Sequence, residues 1–353
     1  MSVDTSNQQP SEPDVDESED APRDIGSSLF TPRTIISFVV ALVVLYMVVS
    51  RTNIDFSESL RQIRRANIWY FSAALVMYYV TFILRGWRWK EMLASAGISE
   101  KTGHNMPGMG GMFQIMSLSW FANSILPARV GDAYRCYLMK RKSGASFGVS
   151  LGTMLAERLI DLVVLVIMLL LTGVIVYGTH APDRAEQAFA IGGGVVILGV
   201  VGVAVVWLLR ERIEGILPAR IVKHYSKVQN GLFDSLAKPV RPVGVSVLLW
   251  LCDGMRVFLA AWALGQHIPY QAAIMVALLS ALVSTIPVTP AGLGFVEGIM
   301  IYALTTIDVP GSTAGAIALL DRLVTYGSLL IVGGIIYVWV LRKDLRADDE
   351  GVG

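Results

Sequence analysis

Between Asn123 and Leu162 the chain reads NSILPARVGDAYRCYLMKRKSGASFGVSLGTMLAERLIDL, which sets Arg129, Asp132, Arg135, Lys140, Glu157, Arg158 and Asp161 among membrane-grade apolar residues. An ionisable group in hydrocarbon costs several kcal/mol unless it is paired or hydrated. Arginine in such a setting is suited to anion capture. Its planar guanidinium carries five donors that can replace water around a phosphate, and a helix N-terminus adds unpaired amides and partial positive charge. Arg129, Arg135, Arg158 and Arg322 are the candidates for binding such a group, with Asn123, Ser284 and Thr289 as neutral donors.

Carboxylates share these stretches. Asp132 and Glu297 fall near the starts of two short helices, where they could cap the helix and repel a phosphate, or hold the arginines in position. Glu157 and Asp321 each adjoin an arginine in sequence, and neighbouring helical positions diverge by about 100°. Their partners must therefore come from other helices, including pairing between the two halves of the chain. Buried carboxylates can also ferry a proton, which makes Glu157, Asp161 and Glu297 candidates for coupling. The plain alternative is that acids and arginines only fasten helices together, as Asp253 and Arg256 would on one helical face.

Other chemistries find no support. His104, His180, His224 and His267 are scattered without metal-ligand spacing, so no metal is assigned. Cys136 and Cys252 sit in or beside apolar runs, which argues against a disulfide framework. With no serine beside an evident base, no catalytic residue and no cofactor are expected.

The elements that must position the charges follow from composition. An apolar share of 54%, a charged share of 16% and a mean hydropathy of +0.57 define an all-α polytopic membrane protein. A net charge of +1 without a concentrated basic surface argues against nucleic acid as partner. Residues 1–32 read as a disordered acidic tail without signal-peptide features, and residues 33–342 as the membrane domain. About six full spans are expected, over residues 34–50, 68–84, 151–177, 188–209, 243–264 and 313–341. Trp69, Trp87 and Trp89 suit the aromatic belts at the headgroups, with Arg85, Arg88 and Lys90 marking an interface.

Two further segments are interrupted. Pro127 and Gly131 break residues 108–142, while Pro287, Pro290, Gly292 and Gly294 break the segment that follows residue 272. Broken backbone survives in a bilayer only when buried in protein or lining a wet cavity, so both are expected to be re-entrant hairpins. Residues 210–242 form a basic connector, either a helix lying at the cytoplasmic interface or a solvated link, and residues 343–353 a cytoplasmic tail.

The halves echo each other. ILPARVGD is answered by IPVTPAGLGFVE, and AERLIDLVVL by LDRLVTYGSL, which suggests a repeat over about residues 108–177 and 271–341. Three crossings separate the broken elements, so the repeats should be inverted, as in many transporters. The positive-inside rule then places both termini in the cytoplasm, although Arg51, Arg61, Arg64 and Arg65 fall outside against that rule.

The motifs NSILPARVGDAYR, AERLIDL and PVTPAGLGFVEG resemble the flippase-like membrane region of lysylphosphatidylglycerol synthases and its stand-alone relatives, over about residues 34–342. The resemblance implies a cell-membrane protein that moves a phosphate-bearing lipid, such as an anionic phospholipid or a polyprenyl-phosphate-linked lipid, between leaflets. It also implies an alternative role as scaffold or accessory subunit of a separately encoded glycosyltransferase or synthase. An intramembrane headgroup enzyme is a third reading with less support, because it needs a nucleophile or a metal site and the sequence offers neither a His-rich cluster nor a serine with an evident base.

Overall fold

A computed structural model describes residues 56–126, 129–178, 218–285 and 289–350, together with isolated positions between 194 and 212. The acidic tail, the span expected over residues 34–50, most of that over 188–209, Pro127 and Pro287 lie outside the described residues.

Among the described residues every regular element is a helix. A short amphipathic helix α1 (Phe56–Arg64) leads into α2 (Ile68–Ser95), which Asn67 caps by accepting from the Trp69 amide at 3.0 Å. Helix α2 runs on well past Leu84, where apolarity alone would end it. At 1.5 Å per residue its 28 residues extend about 42 Å, more than a hydrocarbon core requires. Arg85 and Arg88 therefore sit inside the helix. This corrects their reading as interface markers: both are buried, and so is Trp89, whose indole donates to Thr153 at 3.0 Å instead of facing headgroups. Trp69, by contrast, is exposed.

Helices α3 (Met109–Ile125) and α4 (Val130–Ser143) are separated by the first break. Leu126 leaves the helical region (φ −95°, ψ 140°), as the residue before a proline must, and Arg129 turns the chain through a left-handed conformation (φ 55°). The two helices then pack closely at Gly131, where a Cβ would stand 2.0 Å from the Ser119 carbonyl oxygen.

Helix α5 (Phe147–Tyr177) is long and apolar, and α6 (Ala219–Leu236) lies along it. Glycine makes this possible: a Cβ on Gly152 would meet the Val228 carbonyl at 2.0 Å, and one on Gly231 the Val149 carbonyl at 2.2 Å. Small residues that let backbones touch drive helix association in lipid. The basic connector thus contains a helix packed lengthwise on α5.

Helix α7 (Val240–Ala263) packs on α2, α5 and α8 (Tyr270–Ser284). The second break follows α8, with a tight turn at Pro290–Gly292 before α9 (Phe295–Thr305). The last span is not a uniform helix. Helix α10 (Gly311–Arg322) passes through a π-helical turn (Leu323–Gly327) into α11 (Ser328–Glu350).

Four of the described helical stretches, Ile68–Thr102, Phe147–Tyr177, Val240–Ala263 and Gly311–Lys343, are long and apolar enough to cross a membrane; Tyr270–Ser284 and Phe295–Thr305 are apolar but shorter. Two apolar clusters form the interior. One joins α5, α7, α8, α9 and α10, and the other joins α2, α3, α4 and α11. Leu171, Val174, Ile175, Ile331 and Ile335 point outward, an apolar exterior suited to acyl chains.

Candidate functional site

A cavity of about 770 Å³ lies between the two clusters, and both breaks line it. Asn123, Leu126 and Arg129 contribute from the first; Ser284, Thr289, Ala291 and Gly292 from the second. Arg85, Arg158, Asp161, Asp253, Arg256, Asp321 and Arg322 add charge, while Leu155, Leu162, Leu165 and Ala277 supply apolar wall.

The two breaks are built alike. In each, a residue after Pro-Ala or Pro takes a left-handed conformation, Arg129 at φ 55° and Ala291 at φ 50°. Each is followed by a helix whose first turn carries a carboxylate, Asp132 in α4 and Glu297 in α9. Each carboxylate meets an arginine of the next helix: Arg158 reaches Asp132 at 2.8 Å, and Arg322 reaches Glu297 at 2.8 Å. Glu297 also accepts from the Gly294 amide at 2.6 Å, and Asp132 from the Asn123 side chain at 3.1 Å. Glu297 thus caps its helix and holds an arginine at once, whereas Asp132 holds its arginine and ties the end of α3 to the start of α4 through Asn123.

The residues adjoining those arginines turn to other helices, as helical geometry requires. Glu157 sits between Arg88 at 3.0 Å and Arg135 at 3.1 Å. Arg88 also binds Asp161, with one contact of 2.9 Å, and touches the Ser246 hydroxyl. Asp321 pairs with Arg256, which also reaches Asp253 at 3.6 Å, and Asp253 in turn holds Arg85 at 3.1 Å. Asp321 thus finds its partner on α7, which belongs to neither of the two stretches expected to repeat, and among the described residues these ion pairs do not join those two stretches to each other.

Several expectations need correction. Arg135 does not line the cavity; it is buried with its guanidinium 4.5 Å above the Trp89 ring and bonded to Glu157. Ser284 and Thr289 line the cavity but offer it no donor, because their hydroxyl protons go to the Ala281 and Leu293 carbonyls at 2.8 and 3.0 Å. Arg85, Arg88 and Asp253 belong to the network although only a headgroup or packing role was legible for them. The missed signal is the three-residue spacing of Arg85 and Arg88, which aligns both on one face of a helix extended beyond its apolar run.

Arg129 stands apart. Among the described residues this network sets seven arginines (Arg85, Arg88, Arg129, Arg135, Arg158, Arg256, Arg322) against six carboxylates (Asp132, Glu157, Asp161, Asp253, Glu297, Asp321). Arg129 is the arginine of this set without an ion pair, and its hydrogen bond is a long one, 3.4 Å, to the Ser284 carbonyl across the cavity. Among the described residues no group of three His, Cys, Asp or Glu side chains could hold a metal ion.

Comparison with known proteins fits this architecture. Residues 34–333 match the model of the lysylphosphatidylglycerol synthase TM region. The chain belongs to that family. Within the lysylphosphatidylglycerol synthase TM family it is similar to a UPF0104 membrane protein of Methanocaldococcus jannaschii, 30% identical over 64% of this chain and 97% of the relative. It is similar also to a UPF0104 membrane protein of Pyrococcus horikoshii, 22% identical over 79% of this chain and 89% of the relative. Glycosyltransferase AglD of Haloferax volcanii is 27% identical over 86% of this chain, which spans 54% of AglD's length. Like its relatives, this member of the lysylphosphatidylglycerol synthase TM family is an integral membrane protein.

Proposed function

We propose that the chain is a lipid translocator that accepts the phosphate-bearing headgroup of an anionic or polyprenyl-phosphate-linked lipid in the cavity between the two breaks. The observation that carries this reading is Arg129, an arginine without an ion pair on the wall of a cavity whose other arginines are matched by carboxylates. Arg129 is half-buried, and a charge partly withdrawn from water without a counter-charge is open to an anion. A phosphate beside Arg129 supplies the missing negative charge, and the amides at the start of α4 favour the same anion. Arg158 and Arg322 add positive potential while their carboxylates hold them in place. Inverted halves that rock about the cavity, re-entrant breaks at membrane depth and cytoplasmic termini complete the proposal, and the cell membrane is its setting.

Reconstitution into liposomes with fluorescent anionic lipids tests the reading. Wild-type protein is expected to move lipid between leaflets, and Arg129→Gln to slow this at least tenfold. Folded protein that moves no anionic or polyprenyl-phosphate lipid faster than empty vesicles overturns it.

A second reading has one observation in its favour: AglD, a relative of about twice the matched length, is named as a glycosyltransferase. In this reading the chain serves a separately encoded glycosyltransferase or synthase as an accessory subunit. Co-purification of such an enzyme, with its activity intact after Arg129→Gln, would favour that role over transport.

A further inference from the structure

The charged network occupies one part of the cavity wall. The same cavity wall also carries, on α6 and on α7 one turn before Asp253, three neutral polar side chains that the anion site does not use. Tyr225 and Gln229 are four residues apart and so share one face of α6, and Trp250 comes from α7. All three line the cavity, and Gln229 and Trp250 are only 7% and 9% exposed. The Tyr225 hydroxyl, Gln229 Oε1 and Trp250 Nε1 are buried polar atoms with no hydrogen-bond partner.

Buried polar groups ordinarily find partners, so the chemistry of this set describes what it can take. Trp250 Nε1 is a donor only, Gln229 Oε1 an acceptor, and the tyrosine hydroxyl can do either. A phosphate oxygen can answer the indole but has no proton for Gln229. An ammonium can answer Gln229 but not the indole. A hydroxyl donates and accepts at once, and it suits the Gln229 amide in either orientation. We propose that Tyr225, Gln229 and Trp250 form a neutral subsite that binds the hydroxyls of a glycerol or sugar headgroup. The inference deepens the lipid-binding reading above: Arg129 holds the phosphate, and this subsite selects a headgroup rich in hydroxyls.

Native mass spectrometry of the purified full chain in detergent, with three added lipids, tests the proposal. Phosphatidic acid offers the phosphate alone, phosphatidylglycerol the phosphate with hydroxyls, and monoglucosyl diacylglycerol the hydroxyls alone. Wild-type protein should retain phosphatidylglycerol about fivefold over phosphatidic acid, the worth of one or two hydrogen bonds. It should also retain the glucolipid. Gln229→Met and Tyr225→Phe keep shape and remove the polar atoms; each should erase the preference and release the glucolipid while phosphatidic acid stays bound.

Equal retention of phosphatidic acid and phosphatidylglycerol by the wild type, or a preference untouched in both variants and in Trp250→Phe, overturns the subsite and leaves water as the partner of these groups. Glucolipid retained and then lost in Gln229→Met, with neither anionic lipid bound, sustains the subsite and overturns the phosphate reading instead. No retention of any of the three by protein that elutes as a single folded species overturns both.

Discussion

Arg158 lies 2.8 Å from Asp132, which stands in the first helical turn after the break, and this pair fastens α5 to the start of α4. Its counterpart, Arg322 with Glu297, does the same for α10 and α9 at the same distance. Each broken element is therefore anchored by the helix that follows it. The pairs keep both carboxylates engaged and leave Arg129 as the uncompensated charge on the cavity wall.

Removing a shared counter-ion should be the most damaging single change. Glu157→Gln leaves buried Arg135 without its ion-pair partner and buried Arg88 with Asp161 alone. Loss of one partner from a buried pair typically costs about 3–5 kcal/mol. The expected outcome is a clear fall in the thermal midpoint in detergent, whereas Arg129→Gln, which breaks no ion pair, should leave that midpoint nearly unchanged.

Left-handed backbone at the two breaks should separate strain from chemistry. An L-residue there costs about 1–2 kcal/mol that glycine avoids. Ala291→Gly is expected to be neutral or to stabilise by up to about 1 kcal/mol, and Ala291→Val to destabilise by about 2 kcal/mol. Arg129→Gly should gain stability in the same way yet lose lipid transfer. Thermal unfolding set beside the liposome assay checks each variant.

Close helix contacts predict steep size limits. Gly152→Leu would drive a side chain into the Val228 carbonyl, and Gly231→Leu into that of Val149. Backbone cannot yield as a flexible side chain does, so either change should cost about 3 kcal/mol or more and separate α6 from α5. Faster proteolysis between residues 219 and 236 in membrane vesicles would report it.

Gly131 should be just as intolerant, with a consequence for function. A methyl group there would overlap the Ser119 carbonyl and push α4 away from α3, displacing Asp132 and with it Arg158. Gly131→Ala is expected to lower lipid transfer by at least tenfold even where the protein still inserts and elutes as one species. Transfer at the wild-type rate would mean that the position of α4 does not matter to the cavity.

Much of this was legible from local signals. Apolar runs of sufficient length marked spans over residues 151–177 and 243–264 because hydrocarbon thickness sets a minimum length, and the helices found there run Phe147–Tyr177 and Val240–Ala263. Pro127 located the first break because a proline constrains the residue before it, and Leu126 obeys. Charges in apolar sequence singled out Arg129, Arg158 and Arg322 because hydrocarbon penalises ions wherever they fall along the chain. Tertiary structure alone decided which ions meet. Glu157 chooses Arg88 and Arg135 over its neighbour Arg158 because adjacent helical side chains diverge while distant helices converge, and no periodicity encodes that convergence. For the same reason Arg85 and Arg88 passed for headgroup anchors until α2 proved to continue beyond its apolar run into the protein interior. The lone charge of Arg129 emerged only once every carboxylate in the network had found its partner in three dimensions.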